Sequence, residues 1–130
     1  MKKHVEVVGA VIVREGKILC AKRGSEGMLP GLWEFPGGKV EPTESKREAL
    51  VREIREELSA EVSVGMEIEC TTYDYDFATV TLTTFFCSLV SGEPEKSEHS
   101  ELLWLEPQEL LTIDWAPADI PAVAKIQEGH

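Results

Sequence analysis

Apolar residues crowd from Val5 to Val13 at the spacing of an extended chain, and Lys17 to Lys22 repeats the pattern. Arg14-Glu15-Gly16 lies between them, so the pair predicts a β-hairpin. Residues 24–32, GSEGMLPGL, lose the pattern and read as a loop, and WEFPGGKVE continues it. Ser45 and Glu48 then stand three apart as in a capping box, which predicts a helix from Ser45 to about Leu58. Segments 61–77 and 79–90 are rich in Val, Thr, Tyr and Phe and predict two long strands. A polar loop follows over 91–100, then a short strand at Leu102–Leu105 and a short helix opened by Glu106-Pro107. Residues 115–121 form a loop into a final helix ending near Ile126. Without repeats or a linker, the elements imply one mixed α/β domain over residues 1–130.

The helix at 45–58 carries the pattern that packing explains least. On a wheel, Leu50, Val51, Ile54 and Leu58 cover about one third of the circumference, enough to bury one side. Glu53, Glu56 and Glu57 fall within about 100° of one another, beside that arc. Arg52, Arg55 and Glu48 take the outward side. A solvated charged face accounts for Glu48 four residues before Arg52. It accounts poorly for Glu53 and Glu57, like charges at i,i+4, with Glu61 next in the series. Three carboxylates on one face also suit a hard cation such as Mg²⁺ or Mn²⁺. Both readings stand on spacing alone.

Composition narrows the partners. The chain has a formal net charge of −11, which excludes a protein that wraps nucleic acid but not a phosphorylated small molecule carried by a divalent cation. No apolar run approaches the ~18 residues that span a bilayer, so no membrane partner is expected. The start MKKHVEVVGAVIV has the basic-then-apolar look of a signal peptide, yet Glu6 interrupts it and no small-residue cleavage pattern follows. Cys20, Cys70 and Cys87 are odd in number and widely spaced, and are expected to be buried free thiols in a reducing cytoplasm.

Gly37 and Gly38 would let the backbone approach a ligand closely, although a Gly-Gly pair is also an ordinary turn. Neither a GxxxxGK[ST] loop nor a strand-linked GxGxxG is present. What is present is a longer register: Gly38, five residues, Glu44, seven residues, then Arg52-Glu53-Ile54-Arg55-Glu56-Glu57. This resembles the box of the Nudix hydrolases, G-x5-E-x7-R-E-U-x-E-E-x-G-U, where U is bulky and aliphatic. With Arg23, LWEFPGGKVE, EHSELLWLEP and APADIP, nearly the whole chain resembles the MutT-type nucleoside triphosphate pyrophosphohydrolases, and among them the CTP pyrophosphohydrolase group. The register departs at its end, where Ser59 and Ala60 replace the glycine and the aliphatic. That glycine serves as a left-handed C-cap, so serine there would cost about 1 kcal/mol if the turn is kept.

The resemblance implies an α/β/α sandwich with a central mixed sheet and a helix lining a nucleotide cleft. It implies that Glu53, Glu56 and Glu57 bind Mg²⁺ or Mn²⁺ with a Gly37 or Gly38 carbonyl, and that Arg52 orients the carboxylates. Lys39 and Arg23 would contact phosphate, Glu44 would support the metals, and Glu98 would be a late ligand or base where otherwise it reads as a solvated loop acid. Water activated by the metals, with Glu53 or Glu98 taking its proton, would attack the β-phosphorus to give nucleoside monophosphate and pyrophosphate. Phe35 is a candidate base-stacking residue or a core residue, and Asp119 a base-edge contact or a helix N-cap. Leu32, Trp33 and Phe77 are weaker pocket candidates. Cytosine nucleotides, including 5-substituted ones, or an oxidised nucleotide such as 8-oxo-dGTP are the expected substrates, for a monomer or homodimer that sanitises the nucleotide pool. The alternatives are a Nudix enzyme for ADP-ribose or a dinucleoside polyphosphate, and a catalytically silent nucleotide-binding module.

Overall fold

Strand β1 (Lys3–Arg14) belongs to two sheet arms at once in the computed structural model, which describes residues 2–129. From Lys3 to Ile12 it runs parallel to β6 (Ala78–Ser91), and β6 pairs antiparallel with β5 (Glu61–Asp74). Its last two residues, Val13 and Arg14, instead pair with β2 (Lys17–Lys22). From β2 the second arm spreads to β3 (Trp33–Glu34) on one side and β7 (Glu101–Leu105) on the other. β4 (Gly37–Lys39) lies antiparallel to Val7–Gly9 of β1.

Period-two alternation in β1 and β2 divides the core between the two faces of the sheet. Val8, Ala10, Ile12 and Leu19 pack with Ala49, Leu50, Ile54 and Leu58 of helix α1 (Lys46–Leu58). Val11, Ile18 and Cys20 pack on the other face with Ala122, Val123 and Ile126 of helix α2 (Ile120–Glu128). A mixed central sheet is thus flanked by helices. Leu50, Ile54 and Leu58 are fully buried, each worth roughly 1.5–3 kcal/mol of transfer free energy.

Several expectations are corrected by position. The polar stretch after Trp33 is not all loop: it forms β3 and β4, because Gly37 and Gly38 let this segment lie flat against β1. A β-carbon on Gly37 would overlap the Val8 carbonyl. The two long strands stop at Asp74 and restart at Ala78, since Tyr75 N–H donates to Ala78 O across a tight turn. Residues 107–112 wind as a 3₁₀ turn, and a second 3₁₀ turn at Pro117–Asp119 leads into α2, which runs to Glu128. Cys20 and Cys87 are buried, with their thiols pushed up to about 12 by burial, whereas Cys70 is exposed on β5 at the sheet edge. Met1, the first residue of the basic start, lies outside the described residues; the segment from Lys3 is β1. Among the described residues no helix is long and apolar enough to cross a membrane.

The ends of α1 are set locally. Ser45 Oγ accepts the Glu48 N–H at 3.1 Å and Glu48 accepts the Ser45 N–H at 2.8 Å, closing the capping box. At the other end Ser59 keeps the left-handed turn, φ 56° and ψ 36°, and its N–H reaches Arg55 O. The helix exit is therefore retained without its glycine, at the cost of a strained serine. Glu61 does not continue the acidic series: it lies beyond the helix, on β5, and takes Arg55 through both oxygens at 2.6 and 2.9 Å.

Candidate active site

A cleft of about 620 Å³ opens between β1, β4, the loop after β2, the β5–β6 turn and the segment before α2. Arg23, Phe35, Gly37, Gly38, Lys39, Glu57, Glu98 and Asp119 all line it. Of the weaker candidates Phe77 lines it, whereas Leu32 and Trp33 do not. Trp33 is buried and bridges to Trp115, and Leu32 O accepts the Arg23 N–H, so both serve the fold.

Of the α1 glutamates only Glu57 lines the cleft; Glu53, behind Gly38, and Glu56 lie off the lining and are ordered by Arg52, which does not line it either. Arg52 is not on the outward side. It holds Glu44 through both oxygens at 2.6 and 3.0 Å, Glu53 at 3.0 Å, Glu56 at 3.2 Å and the Lys39 carbonyl at 3.0 Å. The expected Glu48–Arg52 pair is replaced because Glu48 is committed to the capping box. Five contacts on one guanidinium tie α1 to β4 and to Glu44, two residues before the helix. The Arg52 guanidinium holds the Glu44 carboxyl below its ordinary range.

The three glutamates differ sharply in environment. Glu53 is only 15% exposed and pressed against Gly38, and burial raises its pKa although Arg52 opposes the shift. Glu57 is pushed up to about 7 by burial, partly offset by His99. Its Oε1 is buried with no hydrogen-bond partner. Glu56 is 60% exposed and drawn to Arg52. Among the described residues no three acidic, histidine or cysteine side chains converge as a ready cation cage. Even so, an unpartnered buried carboxylate oxygen beside a second desolvated carboxylate is a donor set that fits a divalent cation. Such a cation would offset the burial of both charges.

The cleft also has an apolar wall of Val5, Val7, Val80, Leu82, Tyr75 and Phe77. Phe35 is 3% exposed and packs on Trp115 at 4.6 Å between ring centroids, so it serves core and cleft together. Asp119 does not cap α2. It is buried, and it accepts the Phe35 N–H at 3.1 Å. Burial pushes its pKa well above the usual carboxylate range, and the Glu34 charge adds to this. Tyr75 and Phe77 stack nearly parallel at 5.1 Å, and the Tyr75 hydroxyl accepts the Ala118 N–H at 2.9 Å.

Glu34 and His99 were not singled out by the pattern, yet both line the cleft. Glu34 accepts Arg23 at 2.7 Å on one oxygen and His99 Nε2 at 2.9 Å on the other. Burial works against a charge on His99, but Glu34 and Glu57 outweigh it and hold its pKa above the ordinary value. Arg23 also donates to Met28 O at 2.8 Å, which ties the 24–32 loop to the cleft. The adjacency of His99 to Glu98 was a signal in the sequence, but the burial of His99 cannot be read there.

A family model described as the NUDIX domain matches residues 7–125. The chain is 45% identical over 119 residues to the CTP pyrophosphohydrolase of Escherichia coli K12, covering 92% of this chain and 88% of the relative. It is 29% identical over 127 residues to the 8-oxo-dGTP diphosphatase of the same organism, covering 98% of each. The solution structure of a MutT protein of the Nudix hydrolase family from methicillin-resistant Staphylococcus aureus 252 superposes with a TM-score of 0.82 at 49% identity, over the whole of both chains.

Proposed function

The chain belongs to the Nudix family of hydrolases, and we propose that it cleaves nucleoside triphosphates to nucleoside monophosphate and pyrophosphate, with cytosine nucleotides first and oxidised or 5-substituted ones beside them. The observation that carries this is the polarity of the cleft. Half-buried Glu57 and exposed Glu98 share its lining with Lys39 and Arg23, and the rest is an apolar, aromatic wall that holds buried Asp119. That layout suits a ligand with an anionic chain and a flat base. The names of the two E. coli relatives support the same substrate class.

Nudix enzymes typically depend on a divalent metal, and Mg²⁺ or Mn²⁺ is the proposed cofactor. Glu53, Glu57 and a Gly37 or Gly38 carbonyl would hold it, joined by Glu56 and Glu98. When bound, the cation screens phosphate charge and makes a bound water more acidic. The protein's part is to keep Glu53 in place through Arg52 and to present Glu98 as acceptor for the water's proton. Asp119 would read an amino group on the base edge as a carboxylate, or present an O–H there when protonated, which its raised pKa favours. The free thiols fit a reducing cytoplasm.

The test is a panel of dNTPs, CTP, 5-methyl-dCTP, 8-oxo-dGTP and ADP-ribose with Mg²⁺, reading pyrophosphate and monophosphate. Turnover of cytosine triphosphates above the rest is expected. Turnover of ADP-ribose alone, or binding without turnover of any compound, would reject the proposal.

A further inference from the structure

Glu98 sits on an exposed loop, which ordinarily leaves a side chain free to sample many positions. Here the residues on either side of it are both tied down. Ser97 Oγ donates to the Glu57 carbonyl at 2.7 Å, in the last turn of α1. His99 Nε2 lies 2.9 Å from Glu34 Oε2, on β3. The same loop is fixed further out by Glu95 N–H on Leu58 O and by Ser100 N–H on Lys22 O, both at 2.9 Å. His99 is 6% exposed, so the chain buries an imidazole directly beside a solvated carboxylate. Its partner Glu34 is also the anchor of Arg23, so one carboxylate sets both the loop and a cleft arginine.

Resting on the reading of Glu98 as the proton acceptor, we propose that Ser97 and His99 are positioning residues. With Glu34, they fix where the Glu98 carboxylate stands in the cleft. Neither needs to touch substrate. Ser97 sets the loop against the helix that carries the glutamates, and His99 sets it against the strand that carries Glu34.

The test is a double-mutant cycle in the full chain with Mg²⁺, using the triphosphate that the panel selects. Ser97→Ala and His99→Ala should each lower kcat about tenfold while KM stays within about twofold. His99→Gln, whose amide can still donate to Glu34, should restore at least about half of kcat. In a Glu98→Gln background neither Ala variant should change kcat by more than about twofold, because the group they position is already gone. A full tenfold loss in that background, or a rise in KM at constant kcat, would overturn the positioning role. A Glu98→Gln enzyme with unchanged kcat would remove the reading of Glu98 and the proposal with it. An impaired Glu98→Gln enzyme beside fully active Ser97→Ala and His99→Ala would overturn the positioning role alone. Thermal unfolding of each variant identifies any that fail to fold. If His99→Ala is one, Ser97→Ala, which removes a single exposed hydroxyl, carries the cycle by itself.

Discussion

Gly38 and Glu53 compete for one space: a β-carbon on residue 38 would overlap the Glu53 carboxylate. The neighbouring Gly37 faces backbone instead, at the Val8 carbonyl. The two alanine variants should therefore fail differently. Gly38→Ala displaces a side chain that can move, so the fold should persist while kcat falls about 100-fold. Gly37→Ala collides with a strand that cannot yield and should lose more than about 2 kcal/mol of stability. Denaturant melts and pyrophosphate release on both variants separate the two effects.

Glu57 makes the metal-free protein sensitive to pH. Its pKa is about 7 in the fold against an ordinary 4.5, so the folded state holds the proton more tightly than the unfolded state. Its contribution to stability is complete below about pH 4.5 and is lost as pH rises toward 7, a change on the order of 3 kcal/mol. After chelation the Tm should fall across that window. Glu57→Gln should flatten the fall and abolish turnover. Added Mg²⁺ should raise the Tm of the wild type at pH 7.5 but leave the variant unchanged.

Ser59 holds a left-handed turn that glycine adopts without strain. Ser59→Gly should stabilise the fold by about 0.5–1 kcal/mol, or roughly 2–4 °C in Tm, with kcat unchanged. A lower Tm would mean that the serine side chain contributes more than the backbone strain costs.

Asp119 tests base selection. Asp119→Asn exchanges a carboxyl group for an amide that both donates and accepts. The preference for cytosine over other bases, measured as the ratio of kcat/KM values, should drop at least about tenfold. The Phe35 N–H keeps its acceptor, so the melting curve should change little. An unaltered ratio would place base selection elsewhere in the pocket, where Phe35, Tyr75 and Phe77 are the lining aromatics.

Much of the fold was legible because its signals are local. The capping box at Ser45 and Glu48, the apolar stripe of α1 and the strand runs depend on neighbours within a few residues. β3 and β4 were not legible: a strand of Gly-Gly-Lys has no alternation to read, and only its pairing with β1 makes it a strand. Val51 was expected in the buried stripe, but Ala49 takes the buried place, because the sheet meets α1 slightly to one side of the ideal wheel.

By itself the sequence determined that a capped helix presents Glu53, Glu56 and Glu57 together, in register with Gly38, Glu44 and Arg52. The carboxylates owe this to helix geometry, and the register is a matter of spacing along the chain. Tertiary structure alone decided what those charges do. It turned Arg52 inward onto Glu44 and Glu53, left Glu56 toward solvent, and buried Glu57 with an unpartnered oxygen. It also joined Glu34 to His99, 65 residues apart, and placed Asp119 on the Phe35 N–H, 84 residues away. Burial and pairing across the sheet set these roles, because desolvation depends on everything that surrounds a group and not on its neighbours in the chain.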